Sequence, residues 1–179
     1  MSESENVVAA RLAAAFDEAD ATLDWAESAR GPAIVKLARL RPVLAAAGFG
    51  SLVVCAMTDL LGGDPAEPAD VSRVCREAAE LLDAAVGPLA GRWRIDGVAD
   101  QLSPDSIGIS DEPVDAAVVD QAMTRIGSLI LRTVDVLFAV AEDDSVMPDL
   151  REIAAEALDV FDGLEGETIL TVLAELQSS

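Results

Sequence analysis

The chain has 179 residues, of which 51% are hydrophobic and 25% charged, a composition that predicts one folded domain over residues 1–179. It holds 33 acidic and 12 basic residues, for a net charge of −21, and no histidine. These values exclude histidine-based catalysis and histidine zinc sites, and they predict no direct binding to nucleic acid or to a membrane surface, since both carry negative charge.

The two cysteines, Cys55 and Cys75, lie twenty residues apart in apolar stretches and lack the CxxC spacing of a metal or redox site. We interpret them as small buried hydrophobic residues of a protein in a reducing compartment. The first residues, MSESEN, are acidic and have no basic segment followed by an apolar one, so they do not resemble a secretory signal. The predicted location is the cytoplasm.

The spacing of apolar residues predicts an all-α fold of six or seven helices in a compact orthogonal or bundle-like arrangement. We expect a first helix over residues 4–30 and a second over residues 32–47. A third helix is predicted over residues 51–61, with Ser51 as its N-cap. The predicted kinks or breaks before that helix are at Pro42, Gly48 and Gly50.

A loop over residues 62–68 precedes the second half of the prediction. Glycine and proline interrupt residues 88–112, where only a short helix over 95–102 is compatible with the pattern. The further helices are predicted over residues 69–86, over residues 114–142, from Ser145 and Pro148 onward, and over residues 167–176.

The helix predicted over residues 114–142 is almost entirely apolar apart from one polar stripe. This pattern indicates the central helix of the bundle. Charges within its apolar run argue against a membrane span. The residues of the stripe, at spacings of four, three, four and three, are Gln121, Arg125, Ser128, Arg132 and Asp135.

The two halves of the sequence share a pattern at a shift of 76 residues. Residues 78–83 (AAELLD) match residues 154–159 (AAEALD), and Asp59 falls on Asp135. One interpretation is an internal duplication with pseudo-repeats over about 32–102 and 113–177. The other is that an alanine-rich helical chain produces such matches by composition.

Two carboxylate pairs are the main catalytic chemistry that the sequence offers. Glu77 with Glu80, and Glu156 with Asp159, are each three residues apart and share a helix face, so two such helices could hold Mg²⁺ through oxygen ligands. About a dozen residues here resemble the all-α nucleoside triphosphate pyrophosphohydrolases, whose ExxE and ExxD pairs bind magnesium and the triphosphate. In this chain 75 residues separate Glu80 from Glu156, and few basic residues flank the two pairs. The alternative is an ordinary solvated helix face carrying exposed ion pairs.

Three charged residues, Asp59, Arg132 and Asp135, lie in apolar surroundings in the sequence. Burying a charge costs several kcal/mol unless it is paired, so Arg132 and Asp135, one turn apart, are predicted to neutralise each other. The functional interpretation is a polar contact in a ligand pocket or across a dimer seam. The structural interpretation is an ion pair at the edge of the core.

Basic residues are scarce, which draws attention to Lys36, Arg39 and the segment Arg92, Trp93, Arg94. Arginine and tryptophan are enriched where proteins contact partners, and we predict a contact site there. The alternative is that the arginines pair with the chain's own carboxylates while Trp93 fills one end of the bundle.

The favoured function is a non-enzymatic acidic interaction or regulatory protein that forms a homodimer through its apolar helices and needs no cofactor. One alternative is a magnesium-dependent nucleotide pyrophosphohydrolase. The other is a carrier of small molecules with an aliphatic pocket near Arg132 and Asp135. The acidity itself fits either a surface that binds a basic partner or the general composition of a GC-rich or salt-adapted host.

Overall fold

The computed structural model describes residues 3–28, 31–86, 115–162 and 164, with side chains from residue 9 onward. Within these ranges the chain forms α-helices and no strand, which confirms the all-α prediction. Five helices are described where six or seven were expected. Their bounds are α1 Glu3–Glu27, α2 Ala33–Leu60, α3 Ala66–Val86, α4 Ala116–Glu142 and α5 Pro148–Asp162. The segments predicted over 88–112 and 167–176 lie outside the described residues.

The largest difference from the prediction is α2, which joins the predicted second and third helices into one. Its 28 residues run through Pro42, Gly48 and Gly50 over about 42 Å. A Cβ on Gly50 would lie 2.7 Å from Cζ of Phe16, and one on Gly48 would lie 3.3 Å from Cβ of Cys75. The two glycines therefore let α1 and α3 approach α2 closely, and they do not end a helix.

The predicted capping role of Ser51 is also wrong, because the residue lies inside α2. Its buried hydroxyl donates a hydrogen bond to the Ala47 carbonyl at 2.8 Å, the usual way in which a serine is accommodated within a helix. α2 ends at Leu60, and Gly62 follows two residues later with a φ of 74°, a backbone angle that glycine adopts without strain. An Asp64 carboxylate oxygen then accepts the Ala66 backbone N–H at 2.9 Å, at the start of α3.

α2 packs against all four other helices, whereas α4 packs mainly against α1, α2 and α5. The helix at the centre of the fold is therefore α2, and the prediction that the helix over residues 114–142 is central is wrong. By length and composition α2 could also cross a membrane, with a mean hydropathy of 1.8. In this structure 61% of the 18-residue stretch of α2 with this hydropathy is buried, as in the core helix of a folded domain.

The face of α1 that packs on the core is the predicted one, with apolar side chains recurring every three or four residues. Phe16 is 2% exposed and Leu23 is fully buried. Burying a side chain of this size contributes about 1.5–3 kcal/mol of folding free energy, so α1 is held chiefly by this stripe. The buried residues of the stripe are Leu12, Phe16, Ala19, Leu23 and Ala26.

Helices α2 and α3, and helices α4 and α5, form two helical hairpins through the short connections 61–65 and 143–147, and the hairpins meet where α2 packs on α4. α4 begins within two residues of its predicted start, with the Asp115 carboxylate accepting the Ala117 backbone N–H at 2.9 Å. α5 begins at Pro148, as predicted. The internal duplication stays a prediction, because two hairpins alone do not require one.

Candidate functional site

A row of carboxylates on α1 binds two arginines of α4, and we call this network the α1–α4 clasp. The carboxylates follow each other at spacings of three, four and three residues, which places them along one helix face. The arginines are seven residues apart, two turns of α4, so both meet the same row. The clasp consists of Asp17, Asp20, Asp24 and Glu27 on α1 and of Arg125 and Arg132 on α4.

Arg132 makes most of the contacts in the clasp. Its Nε and Nη2 donate to the two carboxylate oxygens of Glu27 at 2.8 and 2.9 Å. Nη1 reaches Asp20 at 2.9 Å and Nη2 reaches Asp24 at 2.5 Å. The hydrogen bonds to Glu27, followed by those to Asp24, raise the pKa of Arg132. The predicted pairing of Arg132 with Asp135 is therefore wrong, because the guanidinium turns to α1 and Asp135 lies exposed on α4.

Arg125 occupies the other end of the clasp. Its Nη2 donates to Asp17 at 2.8 Å and to Asp20 at 2.9 Å. The guanidinium carbon also lies 5.3 Å from the centre of the Phe16 ring, within the range of a cation–π contact. The clasp thus joins residues more than 100 positions apart and holds α1 against α4.

Other basic side chains are also engaged within the chain. The Arg39 guanidinium lies 3.8 Å from the centre of the Trp25 ring, a close cation–π contact. Arg41 contacts Asp83 at 3.1 Å, and Arg151 donates from Nε to the Ala141 carbonyl at 3.0 Å. Arg39, one of the predicted contact residues, is therefore engaged within the described chain by an aromatic ring and not by a carboxylate, as the alternative had it.

Lys36 and Asp135 both line a cavity of about 720 Å³, which we call the aliphatic pocket. It lies where the end of α1, the start of α2, the second half of α4 and the α4–α5 connection meet. Its walls are largely aliphatic side chains, and its polar groups are Glu27, Lys36, Asp135, Asp143 and Ser145. The volume is within the 300–1,000 Å³ range typical of small-molecule sites.

The polar groups of the aliphatic pocket differ in how far they are already neutralised. Asp143 accepts hydrogen bonds from the hydroxyl and the backbone N–H of Ser145, at 2.6 and 2.9 Å. These two bonds, the hydroxyl first, lower the pKa of Asp143, and Lys36 contributes in the same direction. Glu27 is occupied by Arg132. Asp135 has no basic side chain within 4 Å among the residues that the structure describes.

A second concave surface, of about 430 Å³, runs between α2 and α3, and we call it the α2–α3 groove. Apolar side chains of α2 form its floor, including Leu44, Phe49 and Leu52, of which Leu52 is 44% exposed. Basic side chains line it as well, namely Arg41, Arg73 and Arg76, together with the carboxylates Glu80 and Asp83.

The four residues predicted as magnesium ligands, Glu77, Glu80, Glu156 and Asp159, are all exposed. Glu77 pairs with Arg73 at 3.2 Å, the exposed ion pair of the alternative interpretation. In the described ranges of the chain no group of three or more acidic or cysteine side chains is placed to hold a metal ion.

Two further predictions concern residues elsewhere. Asp59 is exposed in the last turn of α2, so the expectation of an apolar environment for it is wrong. It lies on the outer side of the helix end, and its carbonyl accepts the Gly62 backbone N–H at 3.0 Å. The predicted contact segment Arg92, Trp93, Arg94 lies outside the described residues.

Comparisons of the chain with protein-family models, with curated proteins and with solved structures return no match. Function is therefore argued from the side chains themselves. The carboxylate row of α1 was not among the predicted sites, although its spacing complements the two arginines of the predicted polar stripe. Comparing the charge spacing of two predicted helices would have indicated the clasp.

Proposed function

We propose that the chain is a non-enzymatic interaction protein that binds an acidic amphipathic helical segment of a partner protein in the α2–α3 groove. The observation that supports this proposal best is the exposed Leu52 side chain in a groove that also contains three arginines. An apolar floor with basic side chains around it matches a helix that carries leucine-like residues on one face and carboxylates beside them.

The distribution of charge supports an acidic partner at this place. Three of the chain's twelve basic residues line the groove, of which Arg41 pairs with Asp83 and Arg73 pairs with Glu77. Arg76 has no carboxylate within 4 Å in the described part of the chain, whereas the clasp occupies Arg125 and Arg132. On a chain of net charge −21, carboxylates elsewhere repel an acidic segment, so the groove fixes both the place and the orientation of binding.

The experiment uses two labelled helical peptides that share a leucine face and carry either glutamate or lysine beside it. Fluorescence anisotropy at 0.15 M salt measures their binding to the full chain. We expect the glutamate peptide to bind and Leu52→Asp or Arg76→Glu to weaken it at least tenfold. Leu60→Asp is the matched control, because Leu60 is 56% exposed on the same helix and does not line the groove.

Three results would contradict the proposal: no binding of the glutamate peptide, tighter binding of the lysine peptide, or an equal effect of Leu52→Asp and Leu60→Asp. Binding of the lysine peptide alone would indicate general attraction to the acidic surface. Magnesium-dependent release of phosphate or pyrophosphate from a nucleotide panel, lost in Glu80→Ala, would contradict the non-enzymatic assignment.

Self-association, the sequence prediction, receives less support than binding to a different protein. Most apolar side chains of α2 and α4 pack on neighbouring helices within one chain, and the large exposed ones among them are Leu52, Leu60 and Phe138. A homodimer would also bring together two chains of net charge −21, whose repulsion opposes association at low salt. Sedimentation equilibrium checks this point, since a monomer mass of 18.6 kDa over a range of concentrations excludes a stable dimer.

A further inference from the structure

The aliphatic pocket is independent of the α2–α3 groove and has different chemistry. Its walls include Ile34, Val136, Val140 and Val146, together with the buried Leu150 and with Met147, which is 65% exposed. A cavity of about 720 Å³ with such walls holds an aliphatic body of eight or more carbon atoms. The polar side chains then decide which head group such a molecule carries.

The balance of charge in the pocket favours a cation. Its lining contains three carboxylates and one ammonium group, in a chain whose net charge is already −21. Arg132 neutralises Glu27, and Lys36 lies near enough to Asp143 to stabilise that carboxylate. Neither Asp143 nor Asp135 has a basic side chain within 4 Å in the described chain, but Asp143 accepts two hydrogen bonds from Ser145, whereas Asp135 is exposed to the pocket without such a bond there.

An anionic ligand and a neutral ligand each fit this arrangement less well than a cation does. The head group of an alkanoate would meet Lys36 but also the carboxylates that line the same pocket, and like charges repel. A neutral alcohol would gain only the aliphatic contacts. An ammonium group can donate up to three hydrogen bonds, and beside Asp135 it would form a charge-assisted one.

We propose that the aliphatic pocket binds a monocationic amphiphile, an alkyl amine in its ammonium form, with the ammonium group at Asp135 and the alkyl chain along the valine-lined wall of α4. The site depends on neither the groove nor its partner. One ligand therefore uses both features of the pocket, its aliphatic volume and its uncompensated carboxylate.

The test compares three ligands of the same chain length, octylammonium, octanoate and octanol, with the full chain at pH 7 and 0.15 M salt. Isothermal titration calorimetry gives the affinities, and NMR shifts of Val136, Val140 and Val146 give the place of binding. We expect octylammonium to bind at least tenfold more tightly than octanoate, with octanol between them.

Two variants locate the interaction. Asp135→Asn is expected to weaken octylammonium five- to tenfold and to leave octanol unchanged, because it removes the charge and keeps the shape. Ala139→Trp is expected to abolish binding of all three ligands by filling the pocket. Both positions are exposed on α4, so the fold tolerates the changes. The matched control, Glu142→Gln, lies on the same helix outside the pocket lining and should change octylammonium binding less than twofold.

Several outcomes would overturn the proposal. Octanoate binding as tightly as octylammonium would mean that Lys36 selects the head group. Octylammonium binding that survives both Asp135→Asn and Ala139→Trp would mean adsorption to the acidic surface. Absence of binding by all three ligands up to their solubility limits would mean that the pocket holds no aliphatic ligand.

Discussion

Replacing Arg132 by methionine tests whether the α1–α4 clasp stabilises the fold. The substitution keeps the aliphatic stem and removes a guanidinium whose side chain is 24% exposed and makes four hydrogen bonds to three carboxylates. Partly exposed charge pairs contribute about 0.5 kcal/mol each, so the loss of the three pairs is about 1.5 kcal/mol. Repulsion among the carboxylates left behind acts in the same direction. We expect the free energy of unfolding to fall by this amount at low salt.

Urea denaturation followed by circular dichroism measures the effect, in 20 mM and in 1 M NaCl. Screening over about 3 Å at 1 M salt should reduce the difference between wild type and variant to half or less. Arg73→Met is the matched control, because Arg73 is exposed and its pairs with Asp70 and Glu77 lie within α3, so its loss should lower the free energy of unfolding much less than the loss of Arg132. If Arg132→Met cost no more than Arg73→Met, or were insensitive to salt, the clasp would not be a stabilising network.

Three further predictions follow from the packing around α2. Gly50→Ala should destabilise the fold by about 1–3 kcal/mol in thermal denaturation, because its Cβ would lie 2.7 Å from the Phe16 ring. Gly48→Ala should stay within about 1 kcal/mol of wild type, because the higher helix propensity of alanine offsets a milder contact, and the reverse order of the two variants would contradict the close approaches. Cys55 should be alkylated by iodoacetamide at least tenfold faster than the buried Cys75 in the native protein, and equal rates would contradict the burial. Burial raises the pKa of Cys75 to about 12 from its ordinary value near 9, so the stability that the protonated thiol contributes is complete below about pH 9 and is lost as the pH rises to 12. This loss of stability at alkaline pH should be smaller in Cys75→Ala, and a loss of unchanged size would show that it does not come from the thiol.

The helices were predicted well where the apolar spacing is regular, and poorly where a glycine or a proline can either end a helix or lie within one. The stripe of α1 and the start of α5 at Pro148 follow from local rules that hold in isolation. The place of Gly48 and Gly50 inside a helix does not follow from local rules, because it depends on close contacts with α3 and α1, which come from other parts of the sequence. A helix held by packing on several sides tolerates residues that would end an isolated one.

The candidate sites were harder to predict because charge pairing is decided between helices. Arg132 and Asp135 are one turn apart, so pairing within α4 was the simplest expectation. The guanidinium instead meets three carboxylates more than 100 residues away, including Glu27, which holds it through two oxygens. A pocket near Asp135 was one of the two interpretations that the sequence left open, and many of the residues that form its walls lie on other helices.

Most of the basic residues in the described part of the chain are paired within it, which explains why their positions in so acidic a sequence predict partner binding poorly. When carboxylates outnumber cations by 33 to 12, an arginine on a helix surface finds a carboxylate of its own chain more readily than one of a partner. Arg125 and Arg132 follow this rule, since both are occupied in the clasp. Arg76 in the groove and Asp135 in the aliphatic pocket are among the groups that internal pairing leaves without an oppositely charged side chain within 4 Å in the described chain, and we expect these two to select the ligands. Opposite charges at these two positions select opposite partners, so exchanging them, with Arg76→Glu and Asp135→Arg, should weaken the acidic peptide and the alkyl amine each at its own site without affecting the other.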